Sequence, residues 1–169
     1  IAFVGMYNSF IKLKNSCDEA YSTMDVYLKK RFDLMPNLVE TVKGYAAHEK
    51  ETLQNVIAAR NNLQNASTTE EKLAGENALQ GTLKSLFAVA EAYPDLKANT
   101  NFLDLQDQLK MIEEDIANSR KYYNAVVKQF NTKCEMFPSN IIASIFHFEK
   151  QPMFEVETAE ERKNVEVKF

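Results

Sequence analysis

Apolar side chains recur every three or four residues along most of this chain, which is the spacing of one face of an α-helix. Two stripes predict helices over residues 6–34 and 36–65. Two further stripes predict helices over residues 69–93 and 101–136. Residues 141–148 are apolar enough for a short final helix, whereas residues 149–169 are charged and weakly patterned.

The prolines mark the predicted helix boundaries. Proline lacks the N–H of a helix interior but is tolerated in the first turn, and it biases the preceding residue away from helix. We therefore expect a tight turn or a sharp kink at residues 34–36, just before and at Pro36. By the same reasoning, Pro94 is expected to end the third helix.

Long amphipathic helices joined by short loops pack antiparallel to their neighbours. The sequence thus predicts an all-α fold: an antiparallel four-helix bundle with long helices, a short C-terminal helix and an extended tail. Residues 6–148 are assigned to the helical bundle domain and residues 149–169 to a charged C-terminal tail. Residues 1–5, Ile-Ala-Phe-Val-Gly, are interpreted as the remnant of an N-terminal hydrophobic anchor.

The charge balance excludes one class of partner. The 24 acidic and 20 basic residues are closely interspersed and give a net charge of −4. A nucleic-acid-binding protein needs a basic face or stripe, and the longest basic run here is three residues. We expect no nucleic-acid partner.

The two cysteines allow two readings. Cys17 and Cys134 form no CxxC pair and no zinc ligand set. In the predicted bundle, the first and fourth helices bring both to the same end, where they could approach each other. Two buried free thiols are the favoured alternative.

Motifs that would carry an enzymatic reaction are incomplete. His48-Glu49 begins like the zinc-protease motif HExxH, but Thr52 occupies the place of the second histidine. A di-iron bundle needs a glutamate three residues before each histidine, and Tyr45 and Ser144 stand there instead. The four glycines form no phosphate-binding loop. We expect no enzyme, no cofactor and no metal, and a carboxylate-based hydrolase is the least favoured function.

Several charged residues interrupt the apolar stripes and are the first candidate site. They are Arg31, Glu49, Arg60, Glu113 and Arg120. We expect them to lie in the interior as a polar network. The structural reading, which we favour, is that they fix helix register and partner choice. The functional reading is a polar groove that binds a small acid or a peptide end, since arginine grips carboxylates with two donors.

The second candidate site is a loop that could dock a partner protein. It consists of Tyr93, Pro94, Asp95 and Leu96. A surface loop with a specific aromatic residue often carries binding function. A helix stop followed by a buried leucine would require the same residue types.

Four segments, in order between residues 7 and 140, resemble the pattern of the LemA family. They are Tyr7-Asn8-Ser9; Asp25-Val26, Arg31, Asp33-Leu34 and Pro36-Asn37-Leu38-Val39; Tyr45, His48 and Glu49; and Tyr93 to Ala98 followed by Phe102, Leu105-Gln106, Leu109, Glu113, Arg120, Tyr123-Asn124, Phe130-Asn131 and Phe137-Pro138. The chain departs from the pattern at Tyr21, where tryptophan is usual, and at Lys30, where a second arginine is usual. Both departures keep the character of the position.

The resemblance implies a bacterial helical bundle presented by a membrane helix that ends just before Tyr7, with no catalytic activity generally assigned. Relatives are associated with magnetosome membranes in some bacteria. We therefore expect a non-enzymatic, membrane-anchored scaffold or protein-interaction module, attached through an upstream anchor absent from this chain and binding an unknown protein partner. The resemblance leaves the side of the membrane open. The alternative is a small-ligand or ion-sensing bundle that uses the interior Arg/Glu network.

Overall fold

A computed structural model describes residues 1–154 of the chain. It contains six helices: α1 (Ala2–Lys43), α2 (Lys50–Gln64), α3 (Thr69–Ala90), α4 (Pro94–Lys97), α5 (Thr100–Glu135) and α6 (Ser139–Phe146). No strand occurs in this part of the chain, so the all-α prediction is confirmed. The finer prediction of one antiparallel four-helix bundle stays a prediction, as do the predicted domain boundaries.

The predicted turn at residues 34–36 is wrong, because α1 continues through Pro36 to Lys43. Pro36 cannot donate to the carbonyl of Phe32, which lies four residues earlier. Nε of Arg60 donates to that carbonyl instead, at 3.4 Å. Met35 and Leu38 on either side are fully buried, so packing keeps the helix continuous through the proline. The turn lies at residues 44–49, and α2 begins at Lys50.

The predicted starts of the later helices agree with the structure to within two residues. The hydroxyl of Thr68 accepts from the backbone N–H of Glu71 at 3.1 Å and caps the N-terminus of α3. The carboxylate of Glu71 accepts from the backbone N–H of Ser67 at 3.0 Å. Helix α3 ends at Ala90, and Pro94 opens the one-turn helix α4 from its first position.

The described chain divides into two compact units. Unit 1 comprises residues 1–27 and 114–154, and unit 2 comprises residues 28–113. In unit 2, the last part of α1, helices α2 to α4 and the first part of α5 enclose one apolar core. Its largest fully buried side chains include Met35, Leu38, Leu79, Leu86 and Leu96.

Unit 1 is built on aromatic contacts between the first part of α1 and the last part of α5. The ring of Phe10 lies 5.9 Å from that of Phe130, and the ring of Tyr21 lies 5.8 Å from that of Tyr123. Residue numbers rise along one helix as they fall along the other, so the two helices run antiparallel in this unit. The ring of Phe146, in α6, lies 4.7 Å from that of Tyr7 and joins α6 to the start of α1.

The segment after α6 returns along α5 without forming a helix. Asn131 donates to the carbonyl of Gln151 and accepts from its N–H, at 2.9 and 2.8 Å. Asn124 makes the same pair of bonds with Phe154, both at 2.8 Å. Residues 151–154, which we call the strap, therefore follow α5, and the predicted extended tail begins as a docked segment. Its remainder, residues 155–169, lies outside the described residues.

Both cysteines are free thiols, as the favoured reading of the sequence expects, but only one of them is buried. Cys17 is fully buried in unit 1. The thiol of Cys134 is half-buried and donates to the carbonyl of Phe148 over 3.8 Å.

Candidate functional site

The most deeply buried charge in the described chain is Arg31, in the part of α1 that belongs to unit 2. Its Nη1 donates to Oε1 of Glu113 at 2.8 Å. Its Nη2 donates to Oε2 of Glu76 at 2.6 Å and to the backbone carbonyl of Glu76 at 3.3 Å. One guanidinium thus ties α1 to α3 and to α5, and we call Arg31, Glu76 and Glu113 the ion triad.

Electrostatics keep the arginine of the ion triad protonated. Burial by itself lowers the pKa of Arg31, but attraction to the Glu113 and Glu76 carboxylates outweighs burial and raises it above the ordinary value. Glu76 is almost fully buried, whereas the Glu113 side chain is one-third exposed, at 33%. Glu113 is therefore the member of the ion triad that solvent can reach.

Local sequence explains how α3 comes close enough to supply Glu76. Gly75 precedes it, and a Cβ at that position would lie 3.0 Å from Cδ1 of Leu63 in α2. The missing side chain lets α2 and α3 pack closely at this level. Glu76 was not among the residues predicted from the sequence, although it lies on the apolar stripe midway between Leu73 and Leu79, where a charge indicates a buried partner.

Four of the five predicted interior residues lie in unit 2, and the structure does not join these four into one network. Of these five, Arg31 and Glu113 contact each other, and Glu76 completes their site. Glu49 accepts from the hydroxyl of Tyr93 at 3.0 Å. Nε of Arg60 donates to the Phe32 carbonyl, and the Arg60 guanidinium lies 4.0 Å from the centre of the Phe32 ring. The fifth residue belongs to unit 1.

That fifth residue is Arg120, on α5. Its guanidinium lies 5.8 Å from the centre of the Phe154 ring, so it packs against the strap. The prediction of a single Arg/Glu network is thus corrected for the four residues of unit 2, because Glu49 and Arg60 bond to Tyr93 and to the Phe32 carbonyl instead of joining Arg31 and Glu113.

The predicted partner-docking loop is largely structural. Leu96 is fully buried in the core of unit 2, and the half-buried Tyr93 holds Glu49. Pro94 and Asp95 are exposed. The one-turn helix α4 points Leu96 inward to cover the end of the core, so the most apolar member of the predicted loop is inaccessible to a partner.

A groove between α3 and α5 of unit 2 adjoins the ion triad at Glu113 and has a volume of about 330 Å³. The side chains from α3 that line it are Gln80, Leu83, Lys84 and Phe87. Those from α5 are Gln106, Leu109, Lys110 and Glu113. We call this site the α3–α5 groove.

The two walls of the α3–α5 groove repeat one pattern. Each helix contributes residues i, i+3, i+4 and i+7, which lie on a single helix face. Each wall reads Gln-x-x-Leu-Lys, at residues 80–84 and 106–110. The helices run antiparallel here, since the ring of Phe87 lies 6.0 Å from that of Phe102 while the ion triad joins Glu76 to Glu113. The groove was not predicted from the sequence, although this repeated pentapeptide is a signal of it that the sequence contains.

The groove is cationic at its rim and apolar at its floor. Leu83 and Leu109 are buried beneath it, whereas Lys84 and Lys110 are exposed. Arg31 offsets one of the two negative charges of Glu76 and Glu113, so the two lysines outweigh the one carboxylate charge that is left. The site is thus locally positive on a chain whose net charge is −4, which favours a partner with both acidic and apolar groups.

The lining of the α3–α5 groove consists of amide, aliphatic, aromatic and charged side chains. Its lining residues include neither serine, cysteine nor histidine, so they offer no nucleophile–base pair. Within residues 1–154, no group of three or more His, Cys, Asp or Glu side chains is placed to hold a metal ion. In the same part of the chain, no helix combines the length and apolar character needed to cross a membrane.

These features define an all-α protein in which a buried ion triad supports a cationic groove. The profile of the LemA family matches residues 20–169, and the chain belongs to that family. The match covers the ion triad and both walls of the α3–α5 groove. The family predicted from the sequence motifs is confirmed.

Three relatives illustrate the similarity. Protein LemA of Metamycoplasma hominis is 27% identical over 95% of this chain and 77% of its own length. Magnetosome protein MamQ 2 of Paramagnetospirillum magneticum is 26% identical over 90% of this chain. Magnetosome protein MamQ of Magnetospirillum gryphiswaldense is 24% identical over 88% of it. The aligned chain spans 66% and 64% of the two magnetosome proteins, just under two thirds.

Proposed function

We propose that this protein is a non-enzymatic interaction module of the LemA type that binds an acidic amphipathic helix of a partner protein in the α3–α5 groove. The observation that carries this proposal is the repeated Gln-x-x-Leu-Lys face on two antiparallel helices. The proposal replaces the Tyr93–Leu96 loop as the docking site, because Leu96 is buried.

The shape of the groove favours a helical partner. Side chains at i, i+3, i+4 and i+7 span about two turns on each wall, and a third helix packs by placing one ridge between two such rows. Leu83 and Leu109 would contact apolar residues of the partner. Lys84 and Lys110, one on each wall, would pair with acidic residues on the two flanks of the partner helix.

A photo-cross-linking experiment tests the docking site. A benzoylphenylalanine in place of Gln106 is expected to capture a defined partner in cells, because Gln106 lines the groove. The matched control is Gln108, which is exposed on the same helix but does not line the groove. Equal capture from both positions would contradict the proposal.

Charge reversal tests the predicted chemistry of the partner. The double change Lys84→Glu and Lys110→Glu is expected to weaken binding of the captured partner by about tenfold or more, since like charges then face each other. Lys72→Glu is the control, an exposed lysine of α3 away from the groove. If an acidic residue of the partner is then changed to lysine and binding is restored, that residue contacts the groove. Unchanged binding of the partner by the Lys84→Glu and Lys110→Glu variant would refute the proposed charge pairing.

A second candidate is the binding of a small anionic ligand in the same groove. Its volume of about 330 Å³ lies at the lower end of the range of ligand sites, about 300–1,000 Å³. The interior arginine itself is a poor receptor, since both Nη atoms of Arg31 already donate to Glu76 and Glu113. A thermal-shift series with succinate, glutamate and citrate separates the candidates: stabilisation abolished by Lys84→Glu favours the small ligand.

We also propose that the protein works at a membrane. The naming of two relatives as magnetosome proteins supports this location. The predicted single N-terminal anchor remains a prediction. Fractionation of the tagged full-length protein tests the location: it is expected in the membrane pellet and should be released by detergent. Recovery in the supernatant would refute it.

A further inference from the structure

The surface of unit 1 around α6 is more apolar than a water-facing surface needs to be. Helix α6 has no charged residue, and it buries Ile142 and Ala143 against the unit. On its other side, Ile141 and Ile145 are exposed by 48% and 54%. The exposed Asn140 and Ser144 lie beside them, so the outer side of α6 is uncharged and mainly apolar, which suits a lipid boundary.

Two neighbouring segments extend this apolar surface. Phe137, at the corner between α5 and α6, is 78% exposed, and Met136 beside it is also exposed. The exposed ring of Phe3, in the first turn of α1, lies 5.8 Å from that of Phe146 in α6. We call Phe3, Met136, Phe137, Ile141, Ile145 and Phe146 the α6 surface.

The α6 surface is held rigidly in place. The hydroxyl of Ser139 donates to the carbonyls of Lys133 and Met136, at 2.6 and 3.0 Å, and so joins the start of α6 to the end of α5. At the other end of α6, the ring of Phe148 stacks on that of Phe10 at 4.8 Å. The exposed isoleucines are therefore presented by a fixed scaffold.

Charge identifies the kind of partner. The exposed Lys128 lines the same hollow as Met136 and Phe137, as does Lys133, whose amine donates to the hydroxyl of Ser9. Basic side chains beside exposed aromatic and aliphatic ones match the boundary between lipid headgroups and acyl chains, most of all where the lipids are anionic. The exposed side of α6 offers isoleucine without a charged group to specify a protein partner.

We propose that the α6 surface contacts the lipid bilayer, with α6 lying in the plane of the headgroup region. This inference rests on the proposed membrane location and adds the residues that touch the lipid. Interfacial helices bury their apolar side about 5–10 Å into the boundary between headgroups and acyl chains. Phe137 and Ile145 are then expected to reach that depth.

The chain has no tryptophan, so a single introduced tryptophan reports its own surroundings. The 169-residue chain with Phe137→Trp is mixed with vesicles of phosphatidylcholine and phosphatidylglycerol. We expect its emission to shift to shorter wavelength and to be quenched by brominated acyl chains. Met111→Trp is the control, at a residue of unit 2 that is 66% exposed, and its emission should stay unchanged.

A second pair of variants tests the energetics. Ile145→Asn is expected to weaken vesicle binding by about tenfold, the loss for one isoleucine no longer buried. Ile57→Asn is the matched control, since Ile57 is 45% exposed on α2, and it should bind vesicles as the parent chain does. Equal loss in both variants would overturn the proposal.

The outcomes separate this surface from the proposed location. If the full-length protein fractionates with membranes but the Phe137→Trp emission is unaffected by vesicles, the α6 surface is wrong and the location stands. A shift that appears without vesicles as protein concentration rises would identify a second copy as the occupant and overturn the lipid contact. If the full-length protein is absent from membranes, both proposals fall.

Discussion

Arg31 shows how one residue can organise three helices. Transfer of a charge into the interior costs several kcal/mol, and a buried ion pair recovers this only with short, well-aligned hydrogen bonds. Arg31 meets that condition with contacts of 2.6 and 2.8 Å to Glu76 and Glu113. Its Nε has no hydrogen-bond partner among the described residues, so the site is not fully satisfied. We interpret the ion triad as an interaction that fixes the register of α1, α3 and α5 relative to one another, rather than as a large source of stability.

Loss of the guanidinium is therefore expected to be costly. Arg31→Met should lower the free energy of unfolding by about 3–5 kcal/mol, because the Glu76 carboxylate stays buried without its cation. Urea unfolding at neutral pH measures this, with Lys128→Met, at an exposed lysine, as a control within about 0.5 kcal/mol of the parent. Addition of Glu76→Gln to Arg31→Met should recover part of the loss. A neutral effect of Arg31→Met would contradict the interpretation.

The two thiols should differ in reactivity because their surroundings differ. Burial, with a smaller contribution from Asp18, raises the pKa of Cys17 from 9.0 to about 11. The thiolate is the reactive form, so at pH 8 its population at Cys17 is about a hundredfold below that of an ordinary thiol. Alkylation by iodoacetamide, followed by mass spectrometry, should modify the half-exposed Cys134 first. In urea both should react alike, and equal rates in the folded protein would contradict the burial of Cys17.

The same shift predicts the sign of a pH effect. A group whose pKa is raised by folding contributes stability below its unfolded pKa and loses that contribution as pH rises through its folded pKa. The contribution of Cys17 is therefore lost between about pH 9 and about pH 11. Cys17→Ala should make the stability less dependent on pH in that window.

At the scale of elements, the course of α1 through Pro36 is the main departure from the sequence prediction. Proline inside a helix costs about 3 kcal/mol, since one backbone bond is lost and the ring crowds the preceding turn. Arg60 offsets part of this cost by donating to the Phe32 carbonyl that Pro36 leaves without its helical donor. A side chain of α2 thus compensates for the backbone donor that α1 lacks at Pro36.

A double-mutant cycle tests this compensation by Arg60. Pro36→Ala should stabilise the protein by about 1–3 kcal/mol, because alanine restores the backbone donor. Arg60→Met alone should destabilise it by about 1–2 kcal/mol, since the Phe32 carbonyl loses its remaining donor. In the Pro36→Ala background, Arg60→Met should lower the free energy of unfolding clearly less than it does in the parent chain. If urea unfolding shows that the two changes are additive, the compensation by Arg60 is ruled out.

At the scale of the whole molecule, the described chain end is tied back onto α5. Asn124 and Asn131 lie seven residues apart, two turns on one face, and each makes two hydrogen bonds with the strap backbone. The hydroxyl of Tyr123 adds a bond to the Pro152 carbonyl at 2.8 Å. Phe154 is buried as a result. An amide side chain can donate and accept at once, which explains why asparagine serves here.

Removal of one asparagine should loosen the strap. Asn124→Asp keeps the acceptor for the Phe154 N–H but sets an oxygen against the Phe154 carbonyl, so we expect a loss of about 1–3 kcal/mol of stability. Limited proteolysis should then cut residues 149–154 faster. Asn118→Asp, at an exposed position of α5, is the control. Unchanged cleavage in Asn124→Asp would show that the strap does not depend on this pair.

Parts of this structure were visible in the sequence, and they are those governed by local rules. The predicted helix over 101–136 differs by one residue at each end from α5, because an unbroken apolar stripe without Gly or Pro needs no distant partner to define it. The start of α3 was readable from Thr68 and Glu71 for the same reason. Pro36 was misread because its compensation comes from Arg60, in another helix.

The sequence by itself determined the all-α class, the bounds of α5 and the start of α3, the charge balance and the family, since each is written in neighbouring residues or in ordered motifs. Tertiary structure alone decided which charges meet. Arg31 bonds to residues 45 and 82 positions away, and periodicity places each of them on an inner face without naming its partner. Tertiary structure also decided that Leu96 is buried and that the two Gln-x-x-Leu-Lys segments form the walls of one groove. Those outcomes depend on the register between helices, which is set by packing over long sequence separations and not by the local spacing of apolar residues.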